Sequence, residues 1–104
     1  MAPVKVIVRD ARAVDSRVLF ALVDVDLEVG GIVFSILGVQ ARRLPSGGTD
    51  VVLPTFRSED GKWRPAIQLP EELQNPLITA VLLFLVEEGL AHNRLLRSFN
   101  AHQG

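Results

Sequence analysis

Three carboxylates are the first side chains in the sequence whose type and spacing could support chemistry. Asp24, Asp26 and Glu28 alternate along one predicted strand, so they share one face of it. Carboxylates in this arrangement could bind a hard cation. They could equally form the solvated face of an antiparallel sheet. No loop residue obviously completes a ligand set, so we favour the solvated face and predict no metal site.

Residue types that are typical of enzyme sites are few. The chain has no cysteine, which excludes a thiolate zinc site and a disulfide framework. His92 and His102 stand far apart near the C-terminal end. The segments "VGG" and "SGGTD" are read as turns, because neither has the strand–loop–helix setting or the lysine of a phosphate-binding loop. We therefore predict that the protein is not an enzyme, needs no cofactor and takes no small-molecule substrate.

A set of basic side chains is the remaining candidate for chemistry. If the turns on one rim come together, these side chains could contact phosphates, and Trp63 or Phe56 could stack on a base. The alternative is that the arginines keep strand ends soluble and block edge pairing, while Trp63 packs on the sheet. The predicted nucleic-acid contacts are Arg42, Arg43, Arg57, Lys62, Trp63 and Arg64.

Composition limits these readings. The chain has 104 residues, of which 48% are hydrophobic, and this suits a single domain over residues 1–104. The formal net charge is -1, whereas a dedicated nucleic-acid binder is usually basic. The charged start "MAPVKVIVRD" is unlike a signal peptide. The longest apolar run, Leu77–Val86, has about half the length of a membrane span. We expect a soluble, cytoplasmic protein without a membrane partner.

Period-2 alternation predicts an α+β fold that begins with an antiparallel meander of about five strands, over residues 3–69. In the second strand we expect Leu19 and Ala21 on one face and Phe20 on the other. In the third strand, "GIVFSILGVQARR", we expect Ile36 on one face and Leu37, Val39 and Ala41 on the other. Gly38 interrupts this strand and suggests a bulge or a close backbone approach.

The segment "LPTFRSEDGKWRP" predicts the last hairpin of the meander. Pro54 cannot donate to a ladder, so the fourth strand ends there or lies at an edge. Asp60 and Gly61 have the residue types of a tight turn, and Trp63 begins the returning strand.

An apolar helix is predicted for residues about 70–98, followed by a flexible tail at 99–104. It could begin with Asn75 as N-cap and Pro76 in the first turn. It could also begin at Pro70, in which case we expect a break or kink near Asn75. Gly89 could end the helix, although we prefer a frayed continuation to about Leu96.

The apolar side chains of this helix surround nearly its whole circumference. One face of a small sheet cannot cover such a helix, so we predict a homodimer. The interface is predicted from Leu77, Ile78, Val81, Leu82, Phe84 and Leu85.

The segments "VDLEVGGIVFSILGVQARR" and "DVVLPTFRSEDGKWRP" resemble the stage V sporulation protein G (SpoVG) family of septation regulators. In that family a strand ends in apolar-Pro-Ser/Thr, and a basic turn, Asp-Gly, one residue, an aromatic and Arg follow. Here the matching positions are Leu53-Pro54-Thr55, Arg57, Asp60-Gly61, Lys62, Trp63 and Arg64. A helix follows in both, and the resemblance runs from about Val23 to Leu83.

The resemblance implies a small dimeric bacterial regulator with an antiparallel sheet and a C-terminal helix, which binds DNA or RNA. By position, Arg57, Lys62 and Arg64 match the family's charged turn. The alternative that the sequence leaves open is a protein-interaction or assembly module. It would pack its apolar helix against a partner and bind no nucleic acid.

Overall fold

The computed structural model describes residues 3–89. Four strands form one antiparallel sheet in chain order, namely β1 (Val4–Ala13), β2 (Leu19–Val29), β3 (Ile32–Arg43) and β4 (Thr49–Val52). A second sheet and one helix follow, namely β5 (Thr55–Arg57), β6 (Trp63–Pro65) and α1 (Glu71–Glu87). The predicted α+β class and antiparallel meander are confirmed, but the last hairpin forms a separate sheet.

Pro54 lies at the break between the two sheets. β4 ends at Val52 and β5 begins at Thr55, because a proline has no N–H to donate to the ladder. Its carbonyl remains useful and accepts a hydrogen bond of 2.9 Å from the N–H of Ala66. The chain therefore leaves the first sheet here and folds back on itself as the β5–β6 hairpin.

The core lies between one face of the four-stranded sheet and α1. Alternate residues of β2, from Ala21 to Leu27, have no exposed surface, as the period of a strand requires. On α1 the fully buried side chains stand four residues apart, at Leu77, Val81 and Leu85. Each fully buried leucine stabilises the fold by roughly 1.5–3 kcal/mol. α1 contacts both β1 and β4 and so covers the sheet from edge to edge.

A β-bulge at Gly38 confirms the predicted interruption of β3. Val23 pairs with Val39 and Val25 pairs with Ile36, so Leu37 and Gly38 together face Asp24. Gly38 has φ +81°, which favours glycine. A Cβ at this position would meet nothing within 4 Å. The glycine is therefore required by its backbone conformation and not by a close approach.

The bulge also shows that the predicted faces of β3 were wrong. Ile36, Val39 and Ala41 are all buried in the core, whereas Leu37 is 66% exposed. One extra residue reverses the alternation of a strand, so Val39 and Ala41 lie on the core face together with Ile36. The same effect occurs in β2, where the register shifts at Phe20. Phe20 is buried in the core, whereas we expected it opposite Ala21.

The helix follows the earlier of its two predicted starts. α1 begins at Glu71 after Pro70, with Glu71 and Glu72 in its first turn, where carboxylates favour the positive helix end. It runs without interruption through Pro76, so the start at Asn75 was wrong.

The end of α1 corrects a second expectation. α1 ends at Glu87, and Gly89 follows with φ +73°. The N–H of Gly89 donates to the carbonyl of Val86 at 3.1 Å, which closes the last turn. Our preferred continuation through Gly89 was therefore wrong. Residues 90–98 of the predicted helix and the tail at 99–104 lie outside the described residues.

Candidate functional site

The sheet face opposite α1, here called the open face, has no helix packed on it within residues 3–89, and the β5–β6 hairpin meets it at Thr55 and Trp63. Its side chains alternate with the buried ones, so they include Asp24 and Asp26 of β2, Leu37 and Arg42 of β3 and Arg12 of β1. Two regions of different character share this face. The first is a network of paired charges and the second is a groove.

Asp24 is the centre of the charge network. Both of its carboxylate oxygens accept hydrogen bonds from the guanidinium of Arg12, at 2.9 and 3.1 Å. The N–H of Gly38 donates to the same carboxylate at 2.9 Å. The hydrogen bonds from Arg12 hold the pKa of Asp24 below its ordinary value, and the Gly38 N–H adds to this effect, while partial burial opposes it. Asp24 thus joins the bulge of β3 to β1.

Asp26 is also satisfied within the chain. The Nε of Arg9 lies 3.0 Å from one carboxylate oxygen, and the hydroxyl of Ser35 donates to the other at 2.7 Å. Among the described residues no group of three metal-ligating side chains is found. Two of the three acidic residues that we weighed as cation ligands, Asp24 and Asp26, are therefore engaged in cross-strand pairs. His92 and His102 lie outside the described residues.

The groove, here called the open-face groove, lies beside the charge network. It has a volume of about 880 Å³, and its apolar lining comes from Val18, Leu19, Leu22 and Leu37. Trp63 forms a wall where the β5–β6 hairpin meets the sheet, and it is 67% exposed. Solvent therefore reaches an aromatic ring and an adjacent apolar surface at the same place.

Arg42 is the charged side chain of this groove. Its Nε and Nη2 donate to Gln40 Oε1 at 3.0 and 2.7 Å, and Gln40 Nε2 donates to Thr55 Oγ1 at 3.0 Å. This chain of hydrogen bonds orients the guanidinium. Its acceptor is a neutral amide, and no carboxylate of residues 3–89 lies within ion-pair distance of Arg42. Its positive charge is therefore oriented but not compensated.

Arg43 does not join Arg42, although the sequence placed both in one patch. Neighbouring residues of a strand point to opposite faces, and Arg43 turns towards the β1–β2 connection. Its Nη1 donates to the carbonyls of Ser16 and Arg17 at 2.9 and 3.3 Å. Its guanidinium lies 5.0 Å from the centre of the Phe20 ring. Arg43 thus holds a loop in place.

Most charged side chains in the turn of the β5–β6 hairpin have hydrogen-bond partners within that turn. Arg64 pairs with Asp60 at 2.8 Å, and its Nε donates to the hydroxyl of Ser58 at 3.1 Å. Ser58 donates to Asp60, which lowers the pKa of Asp60 more than the backbone N–H of Lys62 or Arg64 does. Arg57 donates to the carbonyl of Gly61 at 3.2 Å.

The three basic side chains of this turn differ in whether they form an ion pair. Lys62 and Arg57 have no ion pair within residues 3–89, whereas Arg64 has one with Asp60. A neighbouring concavity contains Arg57 and Arg64 but also Glu59 and Asp60. The turn is therefore less suited to an anion than the groove around Arg42.

The helix residues predicted for a dimer interface divide into two groups. Leu77, Val81 and Leu85 are fully buried against the chain's own sheet, so they form core and offer no surface to a partner. Ile78 and Leu82 pack partly against the same core. Phe84 is half-buried, and Leu83, which we did not predict, is 58% exposed. A dimer through α1 would have to use this outer side.

Sequence reasoning found Arg42 and Trp63 but missed the other lining residues of the groove. Leu37 was assigned to the face of Val39, and Gln40 was not considered. The available signal was Gly38, since a bulge there reverses the alternation and moves Leu37 to the face of Arg42. Gln40 could then be placed two residues before Arg42, on that same face.

Within residues 3–89 the single helix does not combine the length and the apolar character that crossing a membrane requires. The chain matches no protein-family model, no curated protein and no solved structure. The likeness to SpoVG septation regulators therefore rests on the sequence segments quoted above.

Proposed function

We propose that this protein is a small, cytoplasmic bacterial regulator that binds DNA or RNA, as its resemblance to SpoVG septation regulators implies. The observation that supports this proposal is the placement of Arg42 and Trp63 in one groove. Arg42 carries an oriented charge without a carboxylate partner in the described chain, and Trp63 offers an exposed ring.

The contacts differ in strength from one basic residue to the next. Arg42 contributes most, because its charge lies in the groove beside Trp63, where no carboxylate of the described chain pairs with it. Lys62 and Arg57 add phosphate contacts from the hairpin. Arg64 contributes less, since Asp60 already neutralises it at 2.8 Å. Arg43 leaves the set because it lies on the other face of β3 and turns towards the β1–β2 connection.

The experiment uses the fluorescence of Trp63, which is the single tryptophan of a chain without tyrosine. The full chain is titrated with mixed-sequence single-stranded and double-stranded oligonucleotides, of DNA and of RNA, at two salt concentrations. We expect quenching that saturates at low salt and weakens steeply as salt rises, because bound phosphates release counterions. An electrophoretic shift checks the same complexes.

Two matched variants test where the contact lies. Arg42→Gln removes the charge of the groove, and Lys5→Gln makes the same change of charge on the exposed surface of β1. We expect Arg42→Gln to weaken binding and to flatten its salt dependence, while Lys5→Gln binds almost as the parent does. Absence of any shift at high micromolar protein and low salt would overturn the proposal.

A second candidate is self-association, favoured by exposed apolar side chains at the tip of the β2–β3 hairpin. Ile32 is 69%, Val33 is 55% and Phe34 is 37% exposed, and they are consecutive. Such a patch commonly marks a protein-interaction surface. With Leu83 and Phe84 on the outer side of α1, it offers two apolar surfaces for a homodimer or for another protein partner.

Light scattering coupled to size-exclusion chromatography tests this second candidate. We expect a dimer mass for the full chain and a monomer mass for either Ile32→Glu or Leu83→Glu. Thr79→Glu is the matched control, since Thr79 is also exposed on α1 but is not apolar. A monomer mass for the unchanged chain at all concentrations would exclude the dimer.

A further inference from the structure

We infer that the open-face groove holds one unpaired base of a single-stranded nucleic acid, stacked against Trp63, with an adjoining phosphate at Arg42. This inference rests on the proposed function and adds the form of nucleic acid that the site selects. Three features support it, namely the apolar surface of the groove, its charge and the accessibility of a base in a single strand.

The apolar surface of the groove suits a planar ring. Trp63 is 67% and Leu37 is 66% exposed, and both line the same concavity of about 880 Å³. An aromatic side chain that is this exposed can present a face to a base. Loss of a stacked aromatic weakens single-strand binding by roughly 5- to 150-fold in proteins that use such stacking.

The charge of the groove suits a phosphate. Arg42 is its one ionisable lining residue among those described, and no carboxylate lines it. The nearby carboxylate of Asp24 is already paired with Arg12. By contrast, the concavity on the β5–β6 turn holds Glu59 and Asp60 beside its arginines. The groove therefore combines an apolar surface with one positive charge, which matches a base and its phosphate.

A double helix cannot offer this combination along its length. Its bases are stacked on both faces and present only their edges in the grooves. A single strand can turn a base out and stack it on an aromatic side chain. Arg57 and Lys62 can contact the phosphates of a single strand or of a double helix. The preference for a single strand must therefore come from Trp63 and Leu37.

The test compares three labelled oligonucleotides of equal length by fluorescence anisotropy. They are an oligothymidine, an abasic strand that keeps the phosphates without bases, and a duplex. We expect the full chain to bind the oligothymidine most tightly and the other two more weakly. We also expect the oligothymidine to quench Trp63 more than the abasic strand does.

Two variants separate stacking from charge. Trp63→Leu is expected to lower the affinity for the oligothymidine by roughly 5- to 150-fold, towards that of the abasic strand, and to leave the other two ligands almost unchanged. Leu37→Glu places a carboxylate beside Arg42 and is expected to lower the affinity for the oligothymidine as well. Both changed residues are exposed, and circular dichroism verifies that each variant is folded.

The outcomes distinguish this inference from the function on which it rests. Equal binding of oligothymidine, abasic strand and duplex would overturn the single-strand inference and leave nucleic-acid binding in place. Binding that is insensitive to both Trp63→Leu and Leu37→Glu would also overturn it. No binding of any of the three would overturn both.

Discussion

The charge network and the open-face groove lie side by side on one sheet face, but their arginines have different hydrogen-bond acceptors. Arg12 gives both of its terminal nitrogens to the carboxylate of Asp24. Arg42 gives two nitrogens to the neutral amide of Gln40. Both guanidinium groups are held in place. In the network the charge is cancelled, whereas in the groove it stays available to a ligand.

Gly38 is the boundary between the two regions. Its N–H donates to Asp24 on the network side, and the residue itself lines the groove on the other. The bulge that it forms turns Leu37 towards the groove. The network thus stabilises the arrangement of strands on which the groove depends. Changes in the network should therefore affect stability, and changes in the groove should affect binding.

The largest loss of stability is expected for Gly38→Ala, which changes the residue between the charge network and the groove. A residue with a side chain at φ +81° costs about 1–2 kcal/mol of folding free energy. Urea unfolding monitored by circular dichroism measures this loss. Gly48→Ala is the control, because a Cβ there would make an ordinary contact of 3.6 Å with Leu44. If both variants unfold at the same urea concentration, Gly38 is not required by its conformation.

A smaller loss of stability is expected for Asp24→Asn. The amide keeps the shape of the carboxylate but cannot accept two charge-assisted bonds from Arg12. We expect the Tm at neutral pH to fall by roughly 4–8 °C, with no loss of oligonucleotide affinity, because the groove around Arg42 is unchanged. A comparable Asp50→Asn change on β4, where Asp50 is exposed, should leave the Tm almost unchanged. Loss of binding together with an unchanged Tm would reverse the roles assigned to the two regions.

The difference in stability between the parent and Asp24→Asn should become smaller as the pH falls. The pKa of Asp24 is lowered in the folded protein, chiefly by its hydrogen bonds from Arg12. A carboxylate with a lowered pKa stabilises the fold above its unfolded-state pKa of about 3.9. That contribution is lost as the pH falls through the folded-state pKa. Thermal unfolding from pH 7 downwards should therefore show the parent and Asp24→Asn converging in strongly acidic buffer, and a constant gap would contradict the pairing.

The smallest effect is expected for Asp60→Asn on the β5–β6 turn. Asp60 forms an ion pair there, as Asp24 does in the charge network. This change frees the charge of Arg64, which pairs with Asp60 at 2.8 Å. We expect nucleic-acid affinity to rise by roughly two- to fivefold at low salt, as for the loss of an exposed ion pair. Glu59→Gln changes the charge equally without freeing Arg64. A larger gain from Glu59→Gln would show that net charge alone controls binding.

Residue types predicted two of the side chains that line the groove, but they did not predict which other side chains line it. Arg42 and Trp63 were predicted as contacts, and both line the groove. Arg43 was predicted with them as part of one basic rim, yet neighbouring residues of a strand point to opposite faces. Leu37 was missed, because its face depends on how β3 pairs with β2 at the bulge.

The sequence by itself determined the α+β order of elements, the Asp60-Gly61 turn, the break at Pro54 and the interruption at Gly38. These follow from local chemistry, namely alternation, the missing N–H of proline and the conformational freedom of glycine. Only the tertiary structure decided which arginines have a carboxylate partner within the described residues. That depends on the partner across the strand, since Arg12 meets Asp24 and Arg42 meets Gln40. It also decided that Leu77, Val81 and Leu85 are core, because an apolar helix contacts whichever sheet folds against it.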